Sequence, residues 1–228
     1  MHVATSSQYK LGPSSLGEAL FEALRSRIIN GDIAPGEKVT ELRVASEYGI
    51  ARPTAKACLE RLTALGLLRR VAHKSAVVPR LTDAEIRDLF FSRSTFESTA
   101  VAHLAGKKKV PEELTRAQQA MQAAEAHGEF TELVQADITF HWGLVRGFES
   151  ERLSRMYEMI SGEIQLTIGQ YQAHRRTTLS TVTAEHQAVI DAIAVGDVEA
   201  ACHALAGHIS LARDRVLAEL HSHDVPSA

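Results

Sequence analysis

The sequence predicts a mainly α protein in two parts: an N-terminal winged helix-turn-helix with a small β wing, then an all-α antiparallel helical bundle. Three observations carry this. Apolar residues make up 45% of the chain and aromatics only 5%, with Ala and Leu dominant, a composition that favours helix over sheet. Apolar positions recur at three- and four-residue spacing, and after residue 80 no stretch alternates as a strand would. The third observation is GIARPTAKACLERLTALGLLRR, residues 49–70, which follows the short helical pattern TELRVASEY across a one-glycine turn at Gly49. Two helices joined in this way read as a helix-turn-helix, whose second helix enters the DNA major groove.

The elements follow from local signals. Residues 1–15, with Ser, Gly and Pro and no apolar core of signal-peptide type, are expected to form a flexible arm. Ser14 or Ser15 can cap a first helix, LGEALFEALRSRIIN, with Leu16, Leu20, Leu24 and Ile28 on one face, and Asn30 and Gly31 stop it. GDIAPGEKV reads as a tight connection with a short extended end, after which Thr40 caps the next helix. On the second helix of the pair, Ala55, Leu59, Leu62 and Leu65 form a stripe expected to be buried, which Arg52, Lys56 and Arg61 avoid. Arg52 and Lys56 are four apart and point the same way, so that arginine can fork onto a guanine edge and lysine can meet a phosphate. Alternating and β-branched residues flank His73, Lys74 and Ser75 and predict a hairpin wing, whose tip residues His73 and Lys74 can reach a phosphate or a groove.

Residues 79–81 are the expected linker, which gives a DNA-binding domain at 16–80 and a helical domain at 81–228. Thr82 to Glu85 has the spacing of a capping box and opens a helix to about Gly106. Further helices are expected from Pro111 to near Gly128, from about Phe130 to Phe148, and from Ser150 to about Thr178. Two more run from about Thr183 to Val195 and, after Gly196 and Asp197, to about His221. Short connections make them antiparallel neighbours in a bundle of about six helices.

The net charge of −3 hides a split: residues 1–80 hold 12 Lys+Arg against 7 Asp+Glu, and the remainder 13 against 21. A basic N-terminal third fits DNA contact confined to that part. No run of about 18 apolar residues exists, so no membrane span is expected. Cys58 and Cys202 lack metal spacing and sit on apolar helical faces, which suggests buried free thiols and a cytoplasmic location.

Four bundle residues point to metal chemistry: Asp137, His141, His186 and His208. Asp137 and His141 are one turn apart and can reach one point on the bundle axis. His186 precedes the Gly196–Asp197 turn by about as many residues as His208 follows it, and equal distances from a hairpin turn place two residues at one height. Three neutral imidazoles and a carboxylate suit a divalent cation, Zn²⁺ first, with Ni²⁺, Mn²⁺ or Fe²⁺ as alternatives. Arg93 lies close to the stripe of Phe90, Ser94, Glu97 and Val101, and an arginine facing a bundle interior needs an anion. That anion is either Glu97, at i+4, or a bound carboxylate held in a bidentate fork.

Together these features resemble the GntR family of bacterial transcription regulators, in the branch with a FadR-type C-terminal (FCD) domain. The resemblance rests on INGDIAPGEKVTELRVASEYGIARPTAKACLERLTALGLLRR and on the downstream order Arg93 and Glu97, Asp137 and His141, EHQAVIDAIAVGD with His186, then His208. It implies a homodimer on palindromic double-stranded operator DNA, contacted by Arg52 and Lys56. Thr54 would donate to a phosphate, and Glu41 would fix the helix-turn-helix geometry. It also implies that Asp137, His141, His186 and His208 hold the metal, with a small organic acid effector bound beside it and Arg93 at the rim of that cavity. The chain departs from the family pattern at Leu42, where many members have Arg, at Ala51, usually Ser, and at His73, usually Gly. One DNA contact is therefore missing, and the wing can differ in shape.

The expected function is a non-enzymatic, metabolite-responsive transcription regulator, more specifically a repressor. The alternatives are a metal-dependent hydrolase that activates water at the His₃Asp site, and a DNA-binding protein with a purely structural metal.

Overall fold

A computed structural model of the chain describes residues 16–70, 75–170 and 177–223. Nine helices and three two-residue strands are found among the described residues. The N-terminal part holds α1 (Leu16–Ile29), β1 (Lys38–Val39), α2 (Glu41–Tyr48), α3 (Arg52–Ala64), β2 (Arg69–Arg70) and β3 (Ala76–Val77). The helical part holds α4 (Asp83–Gly106), α5 (Glu112–His127), α6 (Phe130–Gly147), α7 (Glu151–Gln170), α8 (Leu179–Val195) and α9 (Val198–His223).

The caps explain where the helices begin and turn. Thr40 accepts a hydrogen bond from the Arg43 backbone N–H at 3.1 Å and opens α2. Gly49, at φ 64°, closes it in the left-handed conformation that a side chain would oppose, and so sets the angle to α3. Thr82 and Glu85 form the expected capping box at the start of α4. The three strands form one antiparallel sheet in the order β1-β3-β2, so β1 joins the wing hairpin as a third strand. The wing tip predicted at His73 and Lys74 lies outside the described residues.

Several expected details are corrected. Leu16 is 64% exposed at the first turn of α1, and Phe21 is buried alongside Leu20, Leu24 and Ile28. On α3 the buried stripe is Ala55, Cys58, Leu59 and Leu62, while Leu65 has left the helix as its half-buried C-cap. Helix α8 starts at Leu179, four residues before the expected Thr183, because Thr178 accepts from the Thr181 backbone N–H. Cys58 is buried, but Cys202 is only half-buried. Ser94 is likewise half-buried, whereas Arg93 is wholly buried.

Two apolar cores result. One fills the N-terminal part with residues such as Leu24, Ile28, Leu59 and Leu62. The other fills the bundle with residues such as Phe90, Leu104, Phe140 and Leu205. Helix α7 serves both: its Leu166 belongs to the N-terminal core, and Tyr157, Ile164 and Ile168 belong to the bundle core. Among the described residues no helix is long and apolar enough to cross a membrane.

Candidate metal centre and nucleic-acid interface

Helices α6, α8 and α9 bring Asp137, His141, His186 and His208 together, with one ligand atom of each within 4.8 Å of the others. His141 Nε2 stands 3.1 Å from His208 Nε2 and 3.3 Å from His186 Nε2. Asp137 Oδ1 lies 3.1 Å from His186 Nε2, 3.6 Å from His141 Nε2 and 3.9 Å from His208 Nε2. All four residues are at most 2% exposed.

The other nitrogen of each ring is already engaged. Nδ1 of His141 meets Glu97 Oε2 at 2.6 Å, that of His208 meets Glu185 Oε2 at 2.8 Å, and that of His186 meets the Val182 carbonyl at 2.8 Å. Each oxygen is an acceptor, so each Nδ1 carries the hydrogen and each Nε2 keeps its lone pair. Three lone pairs then converge at contact distance in a water-poor interior. Such lone pairs repel one another unless a cation or proton lies between them. Bonds of about 2.0–2.1 Å to one ion separate neighbouring ligands by ~3–3.4 Å, close to the spacings seen here. The donor set therefore fits a divalent cation.

Electrostatics favour the neutral state at two of the three rings. At His141 burial and Arg93 push the imidazole down, but Glu97 and Asp137 outweigh them and raise it, so that without a metal ion this ring is the one that takes a proton. Burial pushes the His208 imidazole well below its ordinary range, with His186 and His141 adding to the effect. Burial also lowers His186, against the pull of Asp137. Both rings are thus held neutral, the form that binds metal. For Glu97, burial alone would raise the carboxyl, but His141 and Arg93 outweigh it and hold it ionised.

Beside this cluster lies a small cavity of about 10 Å³, room for about one water molecule, whose lining includes Arg93, Asp137, His141, Trp142, Tyr157 and Gln165. Arg93 is completely buried. Its Nε donates to Glu97 Oε1 at 2.9 Å, while among the described residues Nη1 and Nη2 have no hydrogen-bond partner. Tyr157 donates its hydroxyl to the same Glu97 oxygen at 2.6 Å. Glu97 thus takes both the structural partnership with Arg93 and the support of His141, and the end of the guanidinium fork is left over at the cavity.

Sequence reasoning missed the hold of Glu97 on His141 and of Glu185 on His208, and it missed Trp142, Tyr157 and Gln165 in the cavity wall. Glu185 carried one usable signal. It precedes His186 in the α8–α9 hairpin, so it also stands near the height of His208. Arg215 grips its other oxygen at 2.7 Å.

On the DNA-binding side, Arg52 begins α3, and Arg52 and Lys56 are both exposed on it, with Thr54 half-buried between them. Lys56 Nζ reaches Glu60 at 3.8 Å, an exposed pair of little energetic weight. Glu41 Oε1 lies 3.6 Å from Arg70 Nη2, which ties the start of α2 to the wing strand β2. Thr40, Glu41, Leu42, Arg52, Arg70 and Ser75 line a common groove. Arg61 is exposed but turns toward α1: it pairs with Glu18 at 2.6 Å and lies 3.6 Å over the Phe21 ring, bracing α3 on α1.

Comparison with known proteins agrees with both halves. Residues 16–78 match the family described as Bacterial regulatory proteins, gntR family, and residues 88–211 match the FCD domain. The chain is 28% identical over 185 residues to a protein assigned as the repressor of a D-xylose utilization operon in Paenarthrobacter nicotinovorans, covering 80% of each chain. It is 24% identical over 210 residues to the HTH-type transcriptional regulator LutR of Bacillus subtilis, covering 82% of this chain and 94% of that one. In fold it is similar to a GntR transcriptional regulator from Rhodococcus sp. RHA1, with a TM-score of 0.78 at 21% identity, covering 90% of this chain and 99% of that one. The chain belongs to the gntR family of bacterial transcription regulators, in the branch that carries an FCD domain.

Proposed function

We propose that the chain is a metabolite-responsive repressor, in which residues 16–80 bind a palindromic operator and residues 81–228 bind a metal ion and a small organic acid. The observation that carries this reading is the unsatisfied end of the Arg93 fork, buried in a cavity that also exposes Asp137 and His141. A buried guanidinium with two unpaired nitrogens is unfavourable by itself and calls for an anion. The repressor named among the relatives supports the direction of regulation.

In this reading Asp137, His141, His186 and His208 hold the ion, Zn²⁺ first, and the ion supplies a positive centre for one end of the acid. Arg93 takes a carboxylate oxygen through Nη1 and Nη2. Glu97, Glu185 and the Val182 carbonyl hold the imidazoles in place. Arg52 reads base edges, while Lys56 and Thr54 meet phosphates. Glu41, through Arg70, fixes the wing against the helix-turn-helix. The acid changes operator affinity only so far as it binds one arrangement of the two halves better than another.

The second copy is placed on the outer face of α4 and α7. These helices run antiparallel: Arg69 pairs with both Glu85 and Glu163, and Glu97 meets Tyr157. Phe91 and Met159 therefore stand at one height, 72% and 69% exposed, beside Met156 at 54%. Unpartnered apolar side chains of this size mark an interaction surface. Met159→Glu is expected to shift the chain to monomer in sedimentation, and an unchanged dimer would place the interface elsewhere.

The reading as a whole is tested by operator gel-shift titration of metal-loaded and chelated protein, with and without small mono- and dicarboxylates. Operator affinity that depends on an acid only when metal is present is the expected result. Operator affinity indifferent to every acid and to the metal would reduce the cluster to a structural site.

A further inference from the structure

Helix α7 is packed backbone to backbone against the DNA-binding half. A Cβ at Gly162 would stand 1.8 Å from the Leu65 carbonyl oxygen, and one at Gly169 would stand 2.4 Å from that of Ile29. Leu65 is the C-cap of α3, and Ile29 ends α1. Gln170 adds a hydrogen bond from Nε2 to the Ile28 carbonyl at 2.9 Å, and Glu163 binds Arg69 of the wing strand at 3.0 Å. No flexible side-chain layer separates α7 from α1 and α3 at the two glycines, so a displacement of α7 is passed to them directly.

Gln165 sits on this helix between the two glycines. It is 6% exposed and lines the cavity with Arg93, Asp137 and His141. Its Oε1 accepts from Arg25 Nε at 3.1 Å and from Nη2 at 2.6 Å, a two-pronged hold by a side chain of α1. With the oxygen taken, the amide offers a ligand its Nε2 hydrogens. Helix α1 is in turn braced on α3 through Glu18 and Arg61.

We propose that Gln165 is the relay by which a carboxylate held in the Arg93 cavity is sensed by the DNA-binding half, through its carboxamide bridge to Arg25. The proposal rests on the effector reading above. The carboxylate accepts from Nε2, draws or turns the amide, and so changes the grip of Arg25 on Oε1. Helix α1 then shifts on the α7 seam, and α3 moves with it. Gln165 is a positioning and sensing residue; the metal and Arg93 supply the main hold on the acid. By reciprocity, operator DNA changes the affinity for the acid by the same factor.

The test uses full-length Zn²⁺-loaded protein with acetate, succinate and citrate as probes. NMR follows the side-chain N–H signals of Arg93 and Gln165, and gel shift measures operator affinity in wild type, Gln165→Leu, Arg25→Leu and the double variant. The expected result is that a probe moves both signals and changes wild-type operator affinity. Gln165→Leu should keep its zinc and keep probe-free operator affinity within about twofold, as for uncoupled sites, yet lose the response. Arg25→Leu should lose the same response and the double variant no more, because the two act as one link; Arg25 is partly exposed, so it decides the matter if Gln165→Leu fails to fold. A probe that moves Arg93 while Gln165 stays still, or a Gln165→Leu protein that responds as wild type does, overturns the relay alone. If no probe moves Arg93, the effector reading falls and the relay falls with it.

Discussion

The two functional faces of this protein are built in opposite ways. In the bundle, Arg93, Glu97, Asp137, His141, His186 and His208 are all at most 2% exposed, and Arg93, Glu97 and His141 are linked by hydrogen bonds. On α3, Arg52 and Lys56 stand in water, with only a loose pair between Lys56 and Glu60. Burying six ionisable groups is unfavourable unless each is partnered, and replacing them by apolar residues of similar volume would often stabilise the fold. A site kept under those conditions is preorganised: its ring orientations are set before any ligand arrives. The α3 face proposed to meet DNA carries no such penalty, and its exposed side chains are free to adjust to a ligand. Substitutions should therefore separate cleanly, with bundle variants changing stability and ligand binding together and α3 variants changing DNA binding alone.

The largest effect is expected at the ligands. His208→Ala should abolish stoichiometric metal by elemental analysis. At metal a hundredfold above Kd it should also forfeit about 2.7 kcal/mol of stability, or roughly 5–10 °C in Tm by calorimetry. A variant that keeps both metal and Tm would remove α9 from the centre. Next comes Glu97→Gln, which preserves shape but weakens the hold on His141 Nδ1. Competition against a chromophoric chelator should show metal affinity lower by about 10–100-fold; an unchanged affinity would make Glu97 the partner of Arg93 and Tyr157 only. On the DNA face, Arg52→Ala should weaken operator binding by ~1–3 kcal/mol with Tm unmoved. Lys56→Ala should lower the salt slope of binding by about 1. Either variant losing metal or stability would break the separation of the two faces.

Much of the fold was legible because its signals are local. Thr40, Gly49, the Thr82–Glu85 box and Gly196 each fix an element boundary through groups within a few residues, and the structure uses each as read. Most errors fall at helix ends, and Ser94 and Cys202, half-buried inside α4 and α9, are the exceptions. Leu16 is apolar but lies before the first turn has anything to pack on, and Leu65 keeps the period but not the helix. The proximity of Asp137 and His141, and the equal heights of His186 and His208, could be argued from one helix and one hairpin. What no spacing reveals is which helices touch across the bundle. Glu97 reaches His141 only because α4 packs on α6, and Gln165 reaches Arg25 across 140 residues of chain. The glycines of α7, Gly162 and Gly169, are seven apart and so share one face, but that spacing does not say that the backbone of a distant segment lies against it.

The central claim is that a carboxylate bridges the metal centre and Arg93 and thereby changes operator affinity. The most direct measurement is operator affinity of wild type and Arg93→Ala, both loaded with metal, with and without a panel of small mono- and dicarboxylates. Arg93→Ala is expected to retain metal and acid-free operator binding but to lose the response to an acid that wild type senses. An Arg93→Ala protein that responds with unchanged acid affinity would contradict it, and would leave the arginine as the buried partner of Glu97 alone.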